Sequence, residues 1–362
     1  MTLSPSQFFE ALHAVPLLRK ICRLPSSEVP VICHATELDA AVRFYRQEYS
    51  ITPELYVLDG QDFDHWPHSA RPLADLPQGI EPHLFFLPAR SPAKTAFKGL
   101  SDHMHGNKMA CYSVESFSCA QFWGQKKITF SKDDLAKIIV VYNALSDDDS
   151  KKTYLAAIRA RMEGHAGYIP ISSYPQYFHP LVSPGHGDCL CEGGVDNGVS
   201  TLHIAGAVGD GGHVYAFEPA QTSYENCKAV FAPHANITLE NAALWSSKGV
   251  CNFAMHEDAL NAARIAENGE GNCFCYSVDD YFADTRLDFL KLDIEGAELP
   301  CLTGAKNTIE RHKPKLSVCI YHNQARDLVD VPWHIVSSAQ GYTQFYVGHH
   351  ARWFNETVFY AR

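Results

Sequence analysis

The chain has 362 residues, of which 46% are hydrophobic and 20% charged, and a formal net charge of -11. That length accommodates two domains with separate cores, and the composition is ordinary for a globular protein in water. An acidic balance without a basic block argues against a nucleic-acid surface, and no apolar run approaches the roughly eighteen residues of a membrane span. Met1 to Ser6 lack the basic start and apolar middle of a signal peptide, so a cytoplasmic protein is expected. The twelve cysteines include no C-x-x-C pair. They read as reduced, buried small hydrophobes. Cys189/Cys191 and Cys273/Cys275 alternate as strand positions do, and a zinc site joining them lacks the usual knuckle spacing. His103, His105, His349 and His350 read as ordinary surface or core histidines.

Apolar spacing predicts a helix over 7–20, closed by Pro25. Val29 to Cys33 reads as a strand, Glu37 to Tyr49 as an amphipathic helix and Glu54 to Asp59 as a second strand. The turn of this βαβ unit, His34-Ala35-Thr36, has no glycine and so no nucleotide loop. A structural or recognition role follows for the unit. Prolines recur from Trp66 to Pro92, which predicts an irregular connection with one short strand at Leu84 to Leu87; Met109 to Val114 reads as another strand. Ser131 caps a helix with Asp133 and Asp134 in its first turn, and Ser146 to Ser150 open a second helix that reaches Arg161. The expected organisation is an N-terminal α/β domain over 1–130 and a second domain over 131–362, joined by a helical linker at 131–165.

The second domain opens on a nucleotide-cofactor pattern. A strand ends at Cys191-Glu192, the loop Gly193 to Gly198 follows, and Val199 to Gly206 has the composition of a helix whose first-turn N–H groups face the loop. Gly194 lets the backbone pass close to a ligand. Asn197, Gly198 and Thr201 line the same turn. The next strand ends in Glu218-Pro219, and a carboxylate at a strand tip suits two vicinal ribose hydroxyls. Such an acid fits NAD as well as S-adenosylmethionine, and the glycine register separates them. Val195 stands where a dinucleotide fingerprint needs its middle glycine. The order is Glu192-x-Gly194-x-x-x-Gly198, that of class I methyltransferases.

Asn236 to Leu244 supplies the following strand and turn, which in this fold faces adenine and makes Asn241 and Ala242 candidate contacts. Asp288 to Asp293 is an apolar strand with Lys291 and Asp293 on one face. Asp293 ends that strand beside the crevice, Glu295 follows it, and Glu298 reads as a dipole-favoured charge in the first turn of a helix. Leu316 to Tyr321 reads as the next parallel strand with His322 at its tip. An imidazole there suits a general base for a hydroxyl, with Lys291 and Asp293 orienting the acceptor. Asp293 and Glu295 alone name no third metal ligand, so a metal-free site is expected. Tyr177, just upstream of the loop, is placed to cover the cofactor. Phe345 to Val347 and Thr357 to Tyr360 predict an antiparallel ending.

The string Leu145-Ser-Asp-Asp-Asp-Ser150-Lys-Lys-Thr-Tyr154, with Arg159, Arg161, Tyr174, Tyr177, Phe178 and the Glu192 loop, resembles the FkbM family of S-adenosylmethionine-dependent methyltransferases. Further motifs of that family are Asp293-Ile-Glu-Gly-Ala-Glu298, Leu302-x-Gly304-Ala305, Lys313-Pro314 to Tyr321-His322, Gly341-Tyr342 and Glu356 to Ala361. The resemblance covers about residues 131 to 362. It implies a Rossmann-like class I domain on a mostly parallel sheet behind the smaller α/β domain, S-adenosylmethionine as cofactor, and O-methylation of a sugar, glycan or other secondary-metabolite hydroxyl. One departure is local: the family usually opens the loop with Asp and has Gly-Ala within it, where this chain has Glu192 and Gly194-Val195. Two other readings stand beside it, an NAD(P)-dependent Rossmann-type enzyme, which Val195 opposes, and a non-catalytic module that retains a cofactor pocket. The sequence leaves self-association open.

Overall fold

A computed structural model of the chain describes residues 2–16, 18, 30–33, 38–49, 52–57, 69–76, 83–84, 112–113, 128–163, 166–255, 263–266, 273–323, 326–338, 341–351 and 354–362. The chain divides into two compact units, Leu17–Lys126 and a larger one made of Met1–Pro16 with Lys127–Arg362. The turn expected at 34–36, His103 and His105, residues 85–87, and 109–111 with Val114 lie outside the described residues.

Helix α1 (Pro5–Ala14) starts at a reciprocal capping box between Ser4 and Gln7, with Pro5 in its first turn. The helix predicted over 7–20 stops early because Pro16 disfavours helical backbone at Val15, which adopts φ -56°, ψ 118°. Its buried Phe8 and Leu12 join the core of the larger unit, and Arg159 donates to the Leu12 carbonyl at 3.0 Å. The expectation that this helix belongs to the N-terminal domain is thereby corrected.

The smaller unit holds β1 (Pro30–Cys33), α2 (Leu38–Tyr49), β2 (Glu54–Val57), β3 (Arg71–Pro72), β4 (His83–Leu84) and β5 (Tyr112–Ser113). These strands form a parallel sheet in the order β3-β2-β1-β4-β5. Strand β3 falls in the proline-rich stretch expected to be irregular. Its Arg71 pairs with Glu54 of β2 at 2.9 Å, and Pro72 fits because β3 is an edge strand.

In the larger unit, α3 (Lys132–Ala144) and α4 (Asp148–Glu163) precede β6 (Cys189–Gly193), α5 (Val199–Val208), β7 (His213–Phe217), α6 (Gln221–Phe231) and β8 (Ile237–Glu240). A small sheet follows, built from β9 (Ala243–Leu244), β10 (Gly249–Met255), β11 (Ala263–Ala266) and β12 (Cys273–Tyr276). The chain then returns through α7 (Val278–Tyr281), β13 (Phe289–Leu292), α8 (Glu298–Thr303), α9 (Lys306–His312), β14 (Lys315–Cys319), α10 (Asp327–Ser338), β15 (Phe345–His349) and β16 (Thr357–Ala361).

The main sheet has the order β15-β16-β14-β13-β6-β7-β8. Its five strands from β14 to β8 are parallel, and β16 and β15 close it antiparallel, as the sequence predicted. Apolar cores lie on both of its faces, one containing Leu290, Leu292 and Leu316, the other Leu190, Val214 and Phe289. Burial on both faces explains why these strands are apolar runs rather than alternating ones. Strand order reverses between β6 and β13, which opens a crevice at their C-terminal ends. The two cysteine pairs lie in different sheets, Cys191 in the main core and Cys273 and Cys275 packed with Cys251 in the small one.

Helix α3 is fixed to α10 by charge. Ser131 and Asp134 form its capping box, and Arg326 reaches Asp134 at 2.8 Å and Asp330 at 2.7 Å. Burial alone would raise the Asp134 pKa, but bonds from Arg326 and Ser131 hold it below its ordinary 3.8. A depressed folded-state pKa gives stability that is full above 3.8 and is lost as pH falls through the folded value. Asp134→Asn is therefore expected to melt below wild type at neutral pH. The gap should narrow as pH drops below 3.8, measured by calorimetric melting across pH.

Candidate active site

Four strand ends build the crevice: Glu192 and Gly193 from β6, Glu218 after β7, Asp293 after β13 and His322 after β14. Lys291 and Glu192 are directly paired neighbours on adjacent strands, and their side chains meet at 3.2 Å with almost no exposure. The Lys291 amine also donates to the carbonyls of Gly193 at 3.4 Å and Gly194 at 2.5 Å, while its charge lies 4.8 Å from the centre of the Tyr177 ring. Burial opposes the charged amine, but the carboxylates of Glu192 and Asp293 outweigh it and raise its pKa above the ordinary lysine value. All three ammonium protons are thus engaged, one by Glu192 and two by the carbonyls of Gly193 and Gly194. The structure gives Lys291 the task of fixing that loop in place of the acceptor-orienting one expected of it.

Glu192 is fully buried and also accepts from the Ser200 hydroxyl at 2.9 Å. Gly194 adopts φ +80°, and a Cβ there would sit 1.8 Å from the Asp293 carbonyl oxygen. Its lack of a side chain is thus demanded by the neighbouring strand end, in addition to the close ligand approach expected of it. Gly198, also at φ +80°, packs against the Phe231 ring.

Glu218 was expected to project into the crevice. Its Oε2 instead accepts from the N–H groups of Val195 and Asp196, both at 3.2 Å, and its Oε1 from Ala220 at 2.9 Å. Burial raises its pKa despite these bonds. A carboxylate has about four acceptor positions, so Oε1 keeps one for a further hydroxyl. Asn241 donates to the Glu218 carbonyl at 2.9 Å and also toward that of Pro219, tying the adjoining turns together. Asn197 is exposed in the loop and its Oδ1 accepts from Val199 at 3.1 Å. Thr201 and Ala242, expected at the cofactor, are buried at 0% and 2% exposure. That burial leaves almost nothing of either residue exposed at the crevice.

The opposite wall is acidic. Asp293 accepts from the Tyr177 hydroxyl at 2.6 Å and the Tyr321 hydroxyl at 2.9 Å. Burial alone would raise the Asp293 pKa, but Lys291, His322 and the two tyrosines hold it below the ordinary aspartate value. His322 is buried, with Nδ1 2.9 Å from Glu298 Oε1 and Nε2 3.4 Å from Glu295 and 3.6 Å from Asp293. Burial disfavours its cation, yet Glu298, Glu295 and Asp293 together keep it protonated well above the ordinary histidine range. The three carboxylates favour the imidazolium form, which opposes the general-base role expected of His322. Glu295 is pushed up to about 7, chiefly by burial, with Asp293 and Glu298 adding. Glu356 reaches about 7 for the same reason, burial first and then Asp293.

Tyr321, Glu356 and Ser200 are site residues that sequence reasoning did not single out, and Glu298, read there as a helix-start charge, joins them. Alternation along β14 would have turned Tyr321 away from His322, but the strand ends at Cys319, so alternation no longer governs these two. Among the described residues, seven non-glycine residues have positive φ, and five of them border the crevice: Tyr177, Asp196, Glu295, Asn323 and Glu356. Backbone held in such conformations concentrates at functional sites.

Residues 192–356, which contain this constellation apart from Tyr177, match the methyltransferase FkbM domain family. The chain carries an FkbM methyltransferase domain. It is similar over 99% of its length to the whole of a crystal structure of methyltransferase FkbM from Methylobacillus flagellatus KT, at 18% identity and a TM-score of 0.62, which shows a shared fold. Two more distant structures are Aeropyrum pernix fibrillarin with natively bound S-adenosyl-L-methionine and a SAM-dependent O-methyltransferase from Thermotoga maritima. Each is 12% identical with a TM-score of 0.33, covering 49% and 52% of this chain and 67% of each of theirs. No curated protein matches the chain. Among the described residues no helix is long and apolar enough to cross a membrane.

The glycine geometry of the FkbM domain separates two substitutions. Gly194→Ala should destabilise by at least about 3 kcal/mol, from a left-handed backbone and a clash with strand β13. Gly206→Ala, in α5 with open space around it, should stabilise by roughly 0.5–1 kcal/mol. Urea titration of both variants measures the contrast.

Proposed function

We propose that this methyltransferase moves the methyl group of S-adenosylmethionine to a hydroxyl of a small molecule or glycan. The observation that carries this reading is the division of one crevice into two chemically distinct walls. On the β6–β7 side, Glu218 braces the glycine loop and keeps an acceptor position for a ribose hydroxyl, with Asn197 exposed beside it. Residues fixed in this way suit a neutral nucleoside better than a pyrophosphate, since Glu218 already occupies the loop N–H groups that would cradle phosphate.

On the β13–β14 side, Asp293 and Glu295 present partly exposed carboxylates held by Tyr177, Tyr321 and His322. Methyl transfer breaks the sulfonium carbon–sulfur bond as the oxygen–carbon bond forms, and leaves S-adenosylhomocysteine and a methyl ether. The proton lost by the hydroxyl passes to a carboxylate of this wall, and Glu295, pushed up to about 7, is suited to take it. The protein's main contribution is alignment of donor and acceptor with water excluded. Lys291 serves it by fixing the loop carbonyls, and Tyr177 by covering Lys291.

Calorimetric titration with S-adenosylhomocysteine should give a Kd on the order of micromolar. Glu218→Gln, which removes a charged acceptor, should weaken it at least tenfold, and NAD should not bind. A folded sample that binds NAD and not S-adenosylhomocysteine would overturn the reading. A panel of hydroxylated sugars offered with S-adenosylmethionine then tests the acceptor, read as methyl ether by mass spectrometry.

A further inference from the structure

The register of the small sheet brings three cysteines onto one face. Strands β10 and β12 pair antiparallel, with Cys251 directly opposite Cys273 and Gly249 opposite Cys275. Opposed residues point to the same side of a sheet, and Cys275, two positions after Cys273, points there too. That side is buried: Cys251, Cys273 and Cys275 pack with Ala243 against Trp245, whereas Val250 and Phe274 between them are exposed on the other side. All three cysteines are free thiols.

Backbone spacing separates the three pairings. Directly opposed residues of an antiparallel ladder have Cα atoms about 4.5 or 5.5 Å apart, and both values lie inside the roughly 4.4–6.8 Å that a disulfide spans. Cys251 and Cys275 are diagonal neighbours, a relation of about 7–8 Å, which is too far. Cys273 and Cys275 follow each other on one strand at about 6.8 Å with parallel side chains, at the limit of the range. The Cys251 thiol is in hydrogen-bond contact with both of the others, so contact alone does not choose between them. It donates to the Cys273 carbonyl at 3.5 Å, while the Cys275 thiol is drawn to the Ser247 carbonyl at 3.6 Å.

We infer that Cys251 and Cys273 are a modification site, a dithiol that hydrogen peroxide closes to a disulfide while Cys275 stays free. Burial, then the neighbouring thiols, pushes Cys251 up to about 12. Burial raises Cys273 as well, but the Ala243 N–H and the Cys251 thiol favour its thiolate, which makes Cys273 the nucleophile. Its sulfur attacks one peroxide oxygen, the O–O bond breaks, and a sulfenic acid and one water result. Cys251 then attacks that sulfur, the S–O bond breaks, and a second water leaves. Two thiols give up two electrons and two protons, and one peroxide becomes two waters. At 9% and 8% exposure the pair is open to an oxidant of this size and closed to a bulky one. The cross-link fixes β10 on β12, and β12 pairs with β9 at Ala243, next to the Asn241 turn that ties Glu218 and Pro219.

The experiment treats full-length protein with hydrogen peroxide, alkylates the remaining thiols, and maps unreduced peptides by fragmentation mass spectrometry. Wild type should yield one linked pair, Cys251 to Cys273, two hydrogens lighter than the separate peptides, with Cys275 alkylated. Cys275→Ser should keep the link. Cys251→Ser should lose it and leave Cys273 as a sulfenic acid that dimedone captures. Oxidised wild type should melt a few degrees above the reduced protein and return on reduction. A link through Cys275 in wild type, no link at saturating peroxide, or a link that leaves the melting temperature unchanged would overturn the inference.

Discussion

The ion pair between Lys291 and Glu192 is the constraint on which the crevice depends. Both charges are almost completely removed from water, and each would be strongly destabilising there alone. They occupy opposed register positions on β13 and β6, the strands that flank the reversal of the sheet. A slip of one residue in that pairing would turn Lys291 to the other face and leave Glu192 uncompensated. Lysine then does a second thing. Its remaining protons bind the carbonyls of Gly193 and Gly194, so the register of two strands also fixes the path of the loop. The loop in turn is held by Glu218 from β7, and three strand ends become one rigid wall.

The other wall follows from the same burial. Asp293 leaves β13 two residues after Lys291 and remains ionised because lysine, a histidine and two tyrosines favour its charged form. That leaves His322 between three carboxylates, where a cation is strongly favoured. The chain places that charge on the face opposite the site where Glu218 would take a ribose. The two walls of the crevice therefore differ in chemistry, one of backbone groups and a braced carboxylate, the other of partly exposed carboxylates around a buried imidazole. Positive φ at Tyr177, Glu295, Asn323 and Glu356 is the backbone cost of bringing these groups together from separate connections.

The FkbM domain also explains features that look functional in sequence and prove architectural. Gly194 is required by the Asp293 carbonyl and Gly198 by the Phe231 ring. Thr201 and Ala242 are almost fully buried. In each case the residue next to the site serves the strand or helix that carries the site.

The sequence by itself determined most strands and helices of the main sheet, its mostly parallel order with an antiparallel close, and the positions of Glu192, Glu218, Asp293 and His322 at strand ends. Those are consequences of local pattern: apolar runs with turn residues after them, and a cap such as Ser131. It also pointed to the family, because the strings after β13 and β14 are specific. Only the tertiary structure decided what each group does there. Tyr177, Tyr321 and Glu356 come to Asp293 from three separate stretches of chain, and no periodicity records that meeting. The state of His322 could not be read from an isolated imidazole, since its charge is set by Glu298, Glu295 and Asp293 acting through space in a buried setting. Local spacing specifies where a side chain starts, whereas its charge and its partners depend on every element packed around it.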